Sequence, residues 1–187
     1  MRRLCALIAF AALAACTTPN ASKSVAFSAG SQSALIAVAV RLPHAHLASY
    51  VVNVTRVDNG PNAAKLRIGD DMVTNFSQTF VRRHVVEVQP GTYRIERVAY
   101  ESGRTNYVIC ISRGATDFTL KAGEAVYLGE FELRPYGAGG TLGYALDGIA
   151  EAQDALAKEY PNVTAKLTAV NLTPQMAALG SGGSECR

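Results

Sequence analysis

Few side chains in this sequence could do chemistry, and their spacing decides what they could do. His44 and His46 are two apart, so an extended segment turns both imidazoles to one side; with His84 or the Asp70-Asp71 pair they make a candidate metal site. The competing reading is surface histidines in a loop after Pro43, with no second Cys/His cluster beside them. Cys110 is a poor nucleophile, because Val108, Ile109 and Ile111 flank it and an apolar setting keeps a thiol neutral. The run G-A-G-G-T-L-G at 137–143 misses the dinucleotide fingerprint, since Leu142 stands where the last glycine belongs. No phosphate-binding G-x-x-x-x-G-K-[ST], no G-x-S-x-G elbow and no H-E-x-x-H occurs, and no cofactor is expected. Arg82, Arg83, Arg94 and Arg97 form a candidate basic strip for phospholipid or lipopolysaccharide headgroups, but the interleaved Glu87 and Glu96 favour a balanced, solvated face. Tyr93, Tyr100, Tyr107 and Tyr127 give slender support to a lipid or glycan binder; in a chain without Trp they read better as core.

The charged residues argue against one partner class. The 18 Lys+Arg and 15 Asp+Glu give a net +3; losing Arg2 and Arg3 with a leader leaves 16 against 15. Neither balance predicts nucleic-acid binding.

The strongest pattern is N-terminal. Residues 1–16 read M-R-R-L-C-A-L-I-A-F-A-A-L-A-A-C: two arginines, an apolar run from Leu4 to Ala15, then a cysteine. As a helix that run spans only ~18 Å against a hydrocarbon core of about 30 Å, so it suits a secretory leader better than a membrane span. Leu13-Ala14-Ala15-Cys16 resembles the lipobox of bacterial lipoproteins. The resemblance implies that residues 1–15 are a signal peptide and that Cys16 becomes a diacylglyceryl-bearing, acylated first residue, a membrane anchor through its lipid. Thr17, rather than the aspartate of inner-membrane retention, implies the outer membrane of a Gram-negative cell, facing the periplasm. The alternative is a signal peptide cleaved near Ala15 and a soluble product. On the lipoprotein reading, Cys110 and Cys186 remain in an oxidising compartment, where they are expected to pair and close a loop of about 77 residues, worth ~4 kcal/mol on the chain-entropy argument. Otherwise Cys110 is a small buried hydrophobe and Cys186 is free in the tail.

Residues 16–33 are small and polar, so the composition predicts the lipidated Cys16 followed by a flexible tether, with a root-mean-square reach of roughly 20–25 Å, in which Val25 and Phe27 could still add a short edge strand. Residues 34–135 alternate short β-branched or aromatic runs with turn residues, as in Asp58-Asn59-Gly60, Pro90-Gly91 and Ala122-Gly123. The fold expected is mainly β: an antiparallel β-sandwich of about seven strands with a C-terminal α-helical appendage. In the last of these strands, plain alternation puts Val126 and Leu128 on one face and Tyr127, Phe131 and Leu133 on the other, with Gly129 placed to shift the phase by a bulge. The stretch V-V-E-V-Q-P-G-T-Y-R-I at 85–95, followed by F-T-L-K-A-G-E-A-V-Y-L-G at 118–129, resembles the PEGA-like and carboxypeptidase-regulatory-like modules of bacterial lipoproteins. That resemblance implies a small non-catalytic β-sandwich.

Residues 136–146 read as a Gly-rich linker and 147–172 as the helical appendage, capped by Asp147, with Ile149, Ala152, Leu156 and Tyr160 on one face and Pro161 as a stop. For 162–172 both periods are present, the strand one through Val163, Ala165 and Leu167, and the helical one is preferred. Residues 173–187 read as a mobile tail. The function expected is that of a non-catalytic, lipid-anchored envelope protein that binds or scaffolds a protein partner through exposed strand edges. The alternative is a periplasmic metal-binding protein or small envelope enzyme using His44, His46 and His84.

Overall fold

The computed structural model describes residues 18–42, 48–58, 65–73, 80–102, 105–111, 116–136, 139–145, 147–172 and 176–179. The β-rich pattern folds as two packed sheets. One contains β1 (Ala34–Leu42), β4 (Phe80–Val88), β8 (Ala125–Tyr136), β9 (Gly139–Ala145) and β10 (Leu167–Ala169); its path runs β10-β8-β1-β4, with β9 on β8. The other contains β2 (Ala48–Arg56), β3 (Lys65–Val73), β5 (Gly91–Ser102), β6 (Thr105–Ile111), β7 (Asp117–Leu120) and β11 (Met176–Leu179); its path runs β11-β6-β5-β2-β3, with β7 on β5. A mainly-β fold with one short helix is what the strand periodicity requires.

Alternation decides what lies between the sheets. Ile36, Val38 and Val40 of β1 and Val86 of β4 meet Tyr50, Val52 and Val54 of β2 and Tyr93, Ile95 and Val98 of β5 in one buried cluster. The opposite face of the first sheet is also apolar, through Leu35, Ala37, Val85 and Tyr127, and helix α1 (Ile149–Glu159) covers it with Ala152, Leu156 and the adjoining Tyr160. The helical stripe expected from sequence therefore packs on the sandwich as a third layer.

Several expectations are corrected. Two ladders of the first sheet are parallel, β1 with β8 and β10 with β8, where antiparallel ones were expected; among the described residues eight strands form over 34–136, close to the seven expected there, and β9, β10 and β11 follow. Phe131 joins Val126 and Leu128 in the inter-sheet core, not Tyr127. The cause is the bulge: Leu128 and Gly129 together oppose Val38, and Gly129 takes φ 96°, which shifts the phase of all that follows.

Residues 139–145 of the expected linker form β9, because β10 pairs only Ala125–Tyr127 of β8 and leaves Glu130–Tyr136 for a second neighbour. Residues 162–172 are extended, not helical: Val163, Ala165 and Leu167 are all buried, the strand period, and the Leu167 N–H donates to Gln153 Oε1 at 2.7 Å. The helix is capped not by Asp147 but by Gly148 in the left-handed region at φ 85°, with no side-chain hydrogen bond. Residues 176–179 of the expected mobile tail are β11, paired to Val108–Ile111; residues 180–187 lie outside the described part.

Most consequential, residues 18–33 are not a free tether. Phe27 is 2% exposed, bridges Val163, and its carbonyl accepts the Thr164 N–H at 2.8 Å. Further on, the Gly123 N–H donates to the Ser33 carbonyl at 2.8 Å. The segment is a strap laid across the domain. Backbone hydrogen bonds hold it where few apolar side chains could, which composition cannot reveal.

The short strand β7 is fixed to β5 by Arg94, whose Nε and Nη2 donate to the two oxygens of Asp117 at 2.5 and 2.7 Å. That pair holds the Asp117 carboxyl below its usual range, burial opposing. A depressed carboxyl stabilises the fold above its unfolded value of about 3.9 and loses that contribution as pH falls through the folded value. Arg94→Gln is therefore expected to narrow the stability difference between pH 7 and pH 3 in urea titrations; an unchanged difference would show that the pair adds nothing.

Candidate functional site

The strap's first residues occupy the place where the two sheet edges meet. β4 ends one sheet and β3 the other. Thr18 serves β3: its N–H donates to the Arg67 carbonyl at 2.7 Å and its Oγ1 accepts the Arg67 N–H at 2.9 Å. Two residues on, the chain serves β4: the Ala21 N–H donates to the Val85 carbonyl at 2.7 Å and Asn20 Oδ1 accepts the Val85 N–H at 3.3 Å. Otherwise these edges would offer unpaired backbone groups to other chains.

Between them lies a buried polar group. His84, 3% exposed, faces Tyr50 across the sheets at a ring angle of 65°. Its Nε2 is 2.7 Å from Tyr50 Oη and its Nδ1 is 3.2 Å from Asn20 Oδ1. Because Asn20 Oδ1 only accepts, the His84 Nδ1–H donates to it, while the Tyr50 hydroxyl can donate to Nε2 or accept from it. The arrangement locks the strap to the core and gives His84 a structural task. Asn20→Ala would leave the His84 Nδ1–H and the Val85 N–H without that acceptor; a loss of about 2 kcal/mol is expected in chemical denaturation, with Asn20→Asp keeping much of it. An unchanged midpoint would mean that the clasp bears no energy.

Beside the clasp opens a polar cleft of about 290 Å³, lined by Asn20, Lys23, Arg82, Arg83, Glu159 and Tyr160 among others. Arg82 and Arg83 are exposed on β4, and Lys23 lies 3.7 Å from Glu159. Burial, with Glu159 nearby, raises the Tyr160 hydroxyl above its usual range, and burial beneath the helix pushes that of Tyr127 up to about 12.

The other site residues expected from sequence scatter. Arg94 pairs with Asp117 on the other sheet, so the four arginines form no single strip. Tyr93 and Tyr127 are core residues. Cys16, Cys186, His44 and His46 lie outside the described residues, as do the side chains of Asp70 and Asp71. Among the described residues no group of three or more His, Cys, Asp or Glu could hold a metal. Cys110, on β6 opposite Ala177, is disulfide-bonded, to a partner outside the described residues. Asn20, Lys23 and Tyr160 were not legible as site residues, because nothing in their local sequence marks an approach that only the strap's path creates.

No family model matches the chain, nor does any curated protein or solved structure.

Proposed function

We propose that this chain is a non-catalytic, lipid-anchored protein of the Gram-negative cell envelope, held in the outer membrane through Cys16, facing the periplasm, and acting by binding or scaffolding. The lipobox Leu13-Ala14-Ala15-Cys16 motivates the anchor. The observation that carries the reading is the strap: Thr18, two residues after Cys16, is hydrogen-bonded to β3, so a lipid on Cys16 would hold the domain directly against its anchor. Two or three acyl chains on one residue hold a protein on a bilayer where one chain is marginal.

The engagement of both His84 nitrogens with Tyr50 and Asn20 supports a structural over a metal-binding role for that residue. The PEGA-like resemblance supports the non-catalytic reading, and β7 and β11, at the margins of the second sheet, offer backbone to an envelope protein partner. Cys186 is proposed as the disulfide partner of Cys110.

Cys16→Ser is the test. The expected result is loss of acyl label and of membrane association; an unchanged location would sink the anchor. Crosslinking in intact cells addresses the role, because one dominant envelope protein supports scaffolding, whereas capture of lipid or glycan alone counts against it.

A further inference from the structure

The cleft beside the clasp concentrates the chain's positive charge. Without Arg2 and Arg3 the chain carries 16 basic against 15 acidic residues, and the described residues lining the cleft include Lys23, Arg82 and Arg83 beside one carboxylate, Glu159. Lys23 and Glu159 stand 3.7 Å apart, with side chains 74% and 49% exposed. Pairs of that kind hold weakly, so an incoming anion can take the lysine.

The position of the cleft is fixed by the strap. Asn20 lines it and is four residues from Cys16, a span of at most ~14 Å even fully extended. The headgroup layer on one side of a bilayer is about 5–8 Å deep. A cleft this close to the anchor lies within or just above that layer, where phosphates are the abundant anions.

We infer that the cleft formed by Lys23, Arg82, Arg83, Asn20 and Tyr160 seats the phosphate of an anionic phospholipid from the leaflet that holds Cys16, so that the domain lies against the bilayer on its β3/β4 flank. The placement rests on the proposed anchor; the charge and shape of the cleft do not. Arginine and lysine supply the donors such a phosphate accepts, and Asn20 and Tyr160 add neutral polar atoms.

The test uses the chain as extracted from membranes, reconstituted in vesicles containing a minor fraction of photoactivatable phosphatidylglycerol, irradiated and mapped by peptide mass spectrometry. Adducts are expected on the peptides carrying Lys23 and Arg82-Arg83. Each cation at a membrane surface is worth ~5-fold, so K23Q/R83Q, which changes only exposed side chains, is expected to lower the yield about 25-fold. Adducts confined to other faces, an equal yield from photoactivatable phosphatidylcholine, or full competition by free glycerol phosphate would overturn the proposal. The intact mass of the N-terminus is read from the same sample. Cleft adducts on a chain without acyl groups at Cys16 would support the cleft while refuting the anchor.

Discussion

Gly123→Ala is expected to unfold about 10 °C below the unaltered protein, a loss of ~3–4 kcal/mol at two to four degrees each. Two costs combine. Gly123 sits at φ 77° in the turn closed by the Glu124 N–H donating to the Lys121 carbonyl, a conformation that costs an L-residue about 1–2 kcal/mol. A Cβ there would also stand 2.1 Å from the Ala29 carbonyl oxygen of the strap. Either the turn or the strap must move, and the hydrogen bond from Gly123 to Ser33 goes with it. Gly30→Ala is the control, since its Cβ would meet nothing closer than Ser28 Oγ at 3.8 Å. Calorimetry of both variants, with limited proteolysis of residues 18–33, checks the claim; equal melting of Gly123→Ala and the parent would show that the strap does not rest on this turn.

Removing the cross-link at Cys110 is expected to have an effect of similar size. If Cys186 is the partner, the bond closes a loop of about 77 residues and its loss costs ~4 kcal/mol by chain entropy. Cys110→Ser, Cys186→Ser and the double variant should then share one melting temperature, because each breaks the same bond. The bond would also tether the segment that carries β11, which contributes four residues to the ladder on β6. Additive losses in the double variant, or a Cys186→Ser variant as stable as the parent, would remove Cys186 as the partner.

The strands were legible because their apolar residues alternate and glycine-bearing turns divide them: β1 and β4 are the plainest cases, each a nine-residue strand with an apolar alternation. The helix was legible from Ile149 to Tyr160 for the same reason, a single apolar stripe ended by Pro161. What failed is what backbone pairing decides. Residues 18–33, 139–145 and 176–179 have too few large apolar side chains to announce themselves, yet each is held by N–H and carbonyl groups of a neighbouring strand or loop. Phe131 was placed on the wrong face because one glycine bulge reverses all later alternation. For the cleft, the Arg82-Arg83 pair was visible, but Lys23 and Asn20 reach it only through the strap's route, which sequence spacing does not encode.

The parallel ladder between β1 and β8 governs the order in which this chain can fold. Leu35 pairs with Ala125, 90 residues later, so β1 reaches its second neighbour only when most of the chain is present. At ~5–20 residues per second, a chain emerging N-terminus first leaves that edge of β1 waiting for several seconds. Loops of this length must close before the contacts they enable can repay them, which makes folding slow and late. During the interval one edge of A-L-I-A-V-A-V stays open to pairing with other chains.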